Sequence, residues 1–396
     1  MRQDSYRTLR TGARIEWQPK EAAMISRTAV LVALGIAILA AGPTARAEEE
    51  QKPKVEVVFV LDTTGSMGAL IEGAKVKIWK IVNQIVSGKP VPDVRVGLVA
   101  YRDRGDAYVT KQVAMTTDLD AVYTALRTFT ADGGGDGPES VNQALQEAVK
   151  DLAWSRDERT LRIIYLVGDC PPHMDYPDDV KFPVTCEAAA RAGIIINTIQ
   201  CGSEGSTIPI WQEIARRAEG RYVQIDQSGG MQAVETPFDK RIAELSDRMA
   251  AGTLFYGDKD AQDAARERLD DAEKGVAAAP AESKSERAGF LAKSGRMGEA
   301  DLVALLALGD LKLEEIDPAK LPPELAKLPP EEWKAKLAKL VEERKAIQQE
   351  LVELDRLRSE HIKAELAKAG QKGDSFDAKV LDALKEQAKK IGVVYE

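Results

Sequence analysis

Cysteine and histidine are scarce in this chain of 396 residues, which carries three Cys and two His. Cys170, Cys186 and Cys201 form no Cys-x-x-Cys pair, which argues against a thiolate zinc site or a dithiol redox motif. An odd number permits at most one internal bridge; the alternatives are a Cys170–Cys201 bridge, since both follow neighbouring predicted strands, or three free thiols. Neither His173 nor His361 stands in a motif with a Ser or Cys nucleophile, and no Gly-x-x-x-x-Gly-Lys phosphate loop occurs. Positive charge is also in deficit: 55 Lys and Arg face 64 Asp and Glu, for a net charge of −9. An acidic surface disfavours nucleic acid and anionic membranes as partners.

Long apolar runs are lacking too. The uncharged run Thr28 to Pro43 follows Arg27 and ends in Ala45-Arg46-Ala47, a small-x-small cleavage pattern. It is shorter than the ~20 residues of a spanning helix. Residues 1–47 therefore read as a secretory signal peptide, with Met24 as an alternative start. No Cys follows in a lipobox position. The expectation is export to the periplasm or the extracellular space, with no integral membrane span after cleavage.

What is present is alternation. After a short linker at 48–53, β-branched apolar runs recur at 57–61, 94–101, 163–167, 194–199 and 222–225, separated by helical patterns at 69–86, 119–129, 139–152, 180–192, 210–218 and 231–249. This order predicts an α/β fold, a doubly wound and mostly parallel sheet over 54–256. The segment 107–115 follows its neighbour after a short turn and predicts one antiparallel edge strand.

Composition shifts after Gly257 towards Ala, Lys, Glu and Leu. Residues 257–290 read as linker or helix, with "AAAPAESKSE" as its linker core, and 291–396 as an all-α C-terminal region with a long helix near 331–368. Along that helix Leu337, Leu340, Ile347, Leu351 and Leu354 step at three- and four-residue spacings, interrupted by Arg344, Arg358 and His361. A helix packed on its neighbours is one reading, and self-association through a coiled-coil seam the other.

The stretch "VVFVLDTTGSM" ends a buried strand in Asp62 and places Thr64 and Ser66 at every second position after it. One carboxylate and two hydroxyls are hard oxygen donors suited to Mg2+, with Ca2+ or Mn2+ as alternatives. A capping turn around Ser66 is the competing explanation. Two more acidic loops favour the cation: "ADGGGDGPES" carries Asp136 and Glu139, and "LVGDCPPH" carries Asp169 at another strand end. Strand ends of a doubly wound sheet lie along one edge, where three acidic loops repel unless a cation offsets them.

These residues resemble the von Willebrand factor type A domain. Its metal-ion-dependent adhesion site carries Asp-x-Ser-x-Ser after the first strand, matched here by Asp62-Thr63-Thr64-Gly65-Ser66 with Thr for the first Ser. The family's third-loop Asp matches Asp169, while its second-loop Thr is replaced by Asp136 or Glu139, as in the Asp-x-Pro-Glu loop of integrin beta subunits. The resemblance implies a protein-binding module whose Mg2+ is completed by an Asp or Glu from a protein partner, and no enzyme. "YRDRGD" at 101–106 is a candidate rim, and its Arg104-Gly105-Asp106 reads as a polar turn. Two other functions stand against this one. A scaffold or oligomerisation protein would place the function in the C-terminal helices around a structural metal. A metal-dependent hydrolase would need a second acid where Thr64 stands.

Overall fold

The computed structural model describes residues 52–69, 71–225, 235–277, 279, 281–368 and 375–395. The expected signal peptide at 1–47 lies outside the described residues, as do 48–51 of the linker after it. Six strands form one sheet: β1 Lys54–Asp62, β2 Asp93–Tyr101, β3 Thr110–Thr116, β4 Thr160–Gly168, β5 Ile194–Cys201 and β6 Tyr222–Ile225. Their order is β3-β2-β1-β4-β5-β6. All pairs are parallel except β2 with β3, which is the expected antiparallel edge.

β1 shows why its run is apolar without a break. Side chains alternate across a strand, so a strand covered on both faces needs apolar residues at every position. Val57, Phe59 and Leu61 enter the core on one face with helices α1 (Ile71–Ile85) and α2 (Leu119–Thr128). Val58 and Val60 enter the core on the other, with α3 (Val141–Lys150), α4 (Phe182–Arg191) and α5 (Thr207–Arg217). Strand order reverses between β1 and β4, so the crevice for a ligand opens at their carboxyl ends, beside Asp62 and Asp169.

The remaining helices are α6 Asp239–Ala251, α7 Lys259–Ala277, α8 Ala281–Ser294, α9 Leu302–Leu308, α10 Pro323–Ala326, α11 Pro330–Lys368 and α12 Ser375–Gln387. Most of them pack on the sheet's own layers. α8 packs on α1, α6 and α11, α7 packs on α2, and α12 packs on α1 and β6. Phe290, Leu291, Ile347, Leu351 and Leu384 share one buried cluster with the α1 face of the sheet. The chain's end is pinned there as well: Lys89 and Val394 exchange backbone hydrogen bonds, and Tyr395 Oη donates to the Ile85 carbonyl at 3.0 Å. A smaller cluster joins Leu302, Ile316, Leu325, Trp333 and Leu337.

Ala277 ends α7, and residues 281–286 of the segment read as a linker core are instead the start of α8. Its charges looked solvent-bound because their partners lie far away in sequence. The Arg287 guanidinium, 3% exposed, donates two hydrogen bonds of 2.6 Å to Asp120 and one of 2.9 Å to Glu273. Buried charge is tolerated when paired in this way. The same rule explains the interrupted seam of α11. Arg344 reaches Asp301 at 2.7 Å, and Arg358 reaches Asp239 at 2.9 Å and Glu286 at 3.3 Å. The stripe faces α6, α8 and α9 of its own chain. Among the described residues no helix is long and apolar enough to cross a membrane.

Candidate metal centre at the carboxyl edge of the sheet

Asp62 ends β1 fully buried, and its Oδ1 accepts from the Thr64 backbone N–H at 2.9 Å and from Thr64 Oγ1 at 2.6 Å. Thr64 Oγ1 lies 3.1 Å from Ser66 Oγ, which donates to Asp169 Oδ1 at 3.0 Å. The every-second-residue spacing thus becomes one chain of oxygens running from β1 to the loop after β4. Ser66 does not cap α1; it lies in a 3-10 turn over Gly65–Ala69 and is committed to this chain. Gly168 permits the approach, since a Cβ there would stand 2.9 Å from Asp62 Oδ2.

The second loop is fastened on both sides. Gly65 N–H donates to the Gly133 carbonyl at 3.0 Å, and Asp132 N–H to the Thr63 carbonyl at 3.1 Å. Glu139 N–H donates to the Pro171 carbonyl at 2.9 Å, and His173 N–H to the Glu139 carbonyl at 3.0 Å. Gly134, at φ +74°, takes a left-handed turn with 3.2 Å between a would-be Cβ and Glu139 Oε1. Between these ties the loop delivers its two acids to different places. Glu139 is 2% exposed and reaches the Thr64 side of the site. Asp136 has a side chain 63% exposed and lies with its Oδ1 3.6 Å from His173 Nε2. Glu139 therefore joins Asp62, Thr64, Ser66 and Asp169, and Asp136 does not.

The acids of this cluster repel one another. Burial, reinforced by the Asp169 charge, pushes the Asp62 carboxyl from its ordinary 3.8 to about 7. Burial, then the charges of Asp62, Asp103 and Asp106, pushes Glu139 from 4.5 to about 9. Among the described residues, buried Asp62 Oδ2 and Glu139 Oε2 have no hydrogen-bond partner. Two orphaned carboxylate oxygens beside two hydroxyls and a third carboxylate fit a hard divalent cation such as Mg2+, Mn2+ or Ca2+. Nearby thiols offer no rival chemistry: Cys170, Cys186 and Cys201 are free, and burial raises all three, Cys186 to about 12.

The rim loop turns inward. Arg104 pairs with Asp178 at 2.8 Å and Asp179 at 2.7 Å and lies over the Tyr176 ring, while Asp106 accepts from Gly134 N–H at 2.9 Å. The Arg-Gly-Asp tripeptide is thus spent on holding loops together. Two residues absent from the sequence-derived site stand out. Asp103 and His173 are both buried beside Asp136 at this edge. Their signal was positional, because each lies in a loop leaving a strand's carboxyl end, Asp103 after β2 and His173 after β4.

Three comparisons bear on this geometry. A family model described as von Willebrand factor A domain matches residues 56–236. The human von Willebrand factor A domain-containing protein 7 is 40% identical over 97 residues, spanning 24% of this chain and 10% of that one. The alpha-protein kinase vwkA of Dictyostelium discoideum is 28% identical over 123 residues, spanning 30% of this chain and 19% of its own. The chain thus spans a tenth to a fifth of these relatives' lengths. Among solved structures, the crystal structure of the SpRpn10 VWA domain is similar at 17% identity and a TM-score of 0.35, covering 46% of this chain and 99% of that one.

Proposed function

We propose, on the premise that residues 56–236 are a von Willebrand factor A domain, that this chain is an exported, non-enzymatic protein-binding module working through a divalent cation, with Mg2+ favoured. The observation that carries this reading is the pair of orphaned oxygens, Asp62 Oδ2 and Glu139 Oε2, buried at the sheet's switch point. Asp62, Thr64, Ser66, Glu139 and Asp169 would hold the cation. When bound, it offers a coordination position to an Asp or Glu of a protein partner. The protein's own residues do the rest. Thr64 and Ser66 fix the carboxylates through the 2.6 Å and 3.0 Å bonds, and the backbone ties of the second loop keep Glu139 in place. Export rests on the leader pattern at 1–47. A scaffold role for the C-terminal helices has less to recommend it, because their apolar stripes are used up on the sheet and on each other.

Calorimetric titration of Mg2+ and Ca2+ into the parent and into Asp62→Ala tests the reading. Saturable binding lost in a folded variant is the expected result, followed by chelator-sensitive capture of acidic peptides. A folded parent that binds neither cation overturns it.

A further inference from the structure

The surroundings of the cation centre are far more acidic than the centre itself requires. Three loops frame it, at 102–109, 129–140 and 169–181. Together with Asp62 they carry ten carboxylates, against the three fixed cations Arg102, Arg104 and Lys181. A divalent ion offsets two charges of that excess of seven, and a protonated His173 one more, so the edge stays negative when the centre is filled. The electrostatics of the rim are therefore a separate fact from the orphaned oxygens Asp62 Oδ2 and Glu139 Oε2, which call for the ion.

Part of the excess faces solvent. The side chains of Asp132, Asp136, Asp175 and Asp178 are 63–80% exposed, two in the loop that brings Glu139 and two in the loop that brings Asp169. The loops' own cations are committed elsewhere. Arg102, with a side chain 5% exposed, donates to the Thr130 carbonyl at 2.7 Å and stands 3.7 Å from Asp132. Arg104 is divided between Asp178 and the buried Asp179, and Lys181 Nζ donates to the Tyr176 carbonyl. An acid approaching this edge thus meets one attraction, the ion, and a ring of like charge around it. Like charges placed face to face suppress a partner as effectively as a clash.

Resting on the reading of this edge as a cation-dependent protein-binding site, we propose that its partner is a segment whose metal-binding Asp or Glu is flanked by Lys or Arg. The carboxylate closes the open position of the ion, and the flanking cations lie against Asp132, Asp136, Asp175 and Asp178. Each half needs the other. A carboxylate without basic neighbours is repelled by the rim. A basic segment without the carboxylate finds only solvent-exposed acids, and such contacts are worth little in water. Acidic segments, which the ion alone would accept, are excluded by the rim.

The test uses the parent chain in saturating Mg2+, its cation binding read by calorimetry, and peptides carrying one common dye followed by fluorescence anisotropy. Three peptides hold a single central Asp between lysines, between serines or between glutamates, and a fourth holds Asn between lysines. At about 0.05 M salt the Lys-flanked Asp peptide is expected to bind about tenfold tighter than the Ser-flanked one and the Glu-flanked one more weakly than either, with the spread shrinking at about 0.5 M salt. EDTA, or Asn at the centre, is expected to abolish binding. The double variant Asp132→Asn with Asp136→Asn, at two exposed positions, is expected to cut the preference for lysine flanks about threefold with Mg2+ affinity within about threefold of the parent. Equal affinity for the Lys-flanked and Ser-flanked Asp peptides overturns the proposal and leaves the cation reading standing. Lys-flanked binding that survives EDTA or Asn at the centre overturns it too, because the rim then captures basic chains without the ion. An undiminished preference in the folded double variant removes the rim from the account, and a chain that binds Mg2+ but no peptide overturns the proposal alone. A folded parent that binds no cation overturns both this proposal and the reading beneath it.

Discussion

Asp62→Asn should make the metal-free protein more stable while abolishing its response to Mg2+. A shift from 3.8 to about 7 is roughly three powers of ten in proton affinity, so ionising Asp62 inside the metal-free fold costs on the order of 4 kcal/mol. Asn keeps an acceptor for the Thr64 N–H and Oγ1 but weakens both bonds, a loss of about 1.5 kcal/mol. The net gain is about 2 kcal/mol at pH 8 in EDTA, read as a Tm several degrees above the parent's. The sign with pH follows from linkage. A carboxyl whose folded pKa exceeds its unfolded value subtracts no stability below about pH 4, increasingly more between about 4 and 7, and the full amount above 7. By pH 5 the variant's advantage should therefore fall to near zero. Mg2+ reverses the order, since a ligand at a hundred times its Kd adds about 2.7 kcal/mol to the parent alone. Differential scanning calorimetry in EDTA and in Mg2+, at both pH values, reads all four cases. An Asp62→Asn protein less stable than the parent in EDTA at pH 8, or two melts that rise in parallel with Mg2+, would refute the reasoning.

Further outcomes can be checked with the same preparations. Glu139→Gln should weaken Mg2+ binding at least tenfold by calorimetry while Asp136→Asn leaves it within threefold, because only Glu139 is buried beside Thr64. Arg287→Met should destabilise the fold by about 3–5 kcal/mol in urea titrations, since it leaves Asp120 buried and unpaired. The double change Arg287→Met with Asp120→Leu should recover much of that loss. Truncation after residue 256 should yield aggregated or poorly folded protein, visible in size-exclusion chromatography, because α8 and α12 cover α1, whose Trp79 ring packs against Phe290 of α8.

The sheet was legible because its determinants are local and repetitive. β1 and β4 carry unbroken apolar runs at 57–61 and 163–167, while β2 and β5 are mostly apolar around Arg95, Asn197, Thr198 and Gln200. The Asp62-x-Thr64-x-Ser66 spacing likewise maps onto the oxygen chain, since a two-residue period survives the exit from a strand. What sequence spacing does not encode is which of two acids in a glycine-rich loop turns inward. That choice between Asp136 and Glu139 is made by backbone bonds to Gly65, Thr63 and Pro171, all distant in the chain. The linker reading of α8 failed for the same reason: Ser285, Glu286 and Arg287 look solvent-seeking until Asp239, Asn83 and Asp120 are placed opposite them. The interrupted stripe of α11 left two readings open because a buried Arg and an exposed one are the same letter.

The bond from Tyr395 to the Ile85 carbonyl spans 310 residues. It sets a schedule for the molecule's manufacture. While the chain is being synthesised, the β1–α1 face must wait for α8, α12 and Tyr395, and part of it stays uncovered until they have been made. Contacts so remote in the chain form slowly, because a very large loop must close before they contribute anything. A face covered in this way depends on being kept from premature association until residues 310 positions beyond Ile85 have emerged.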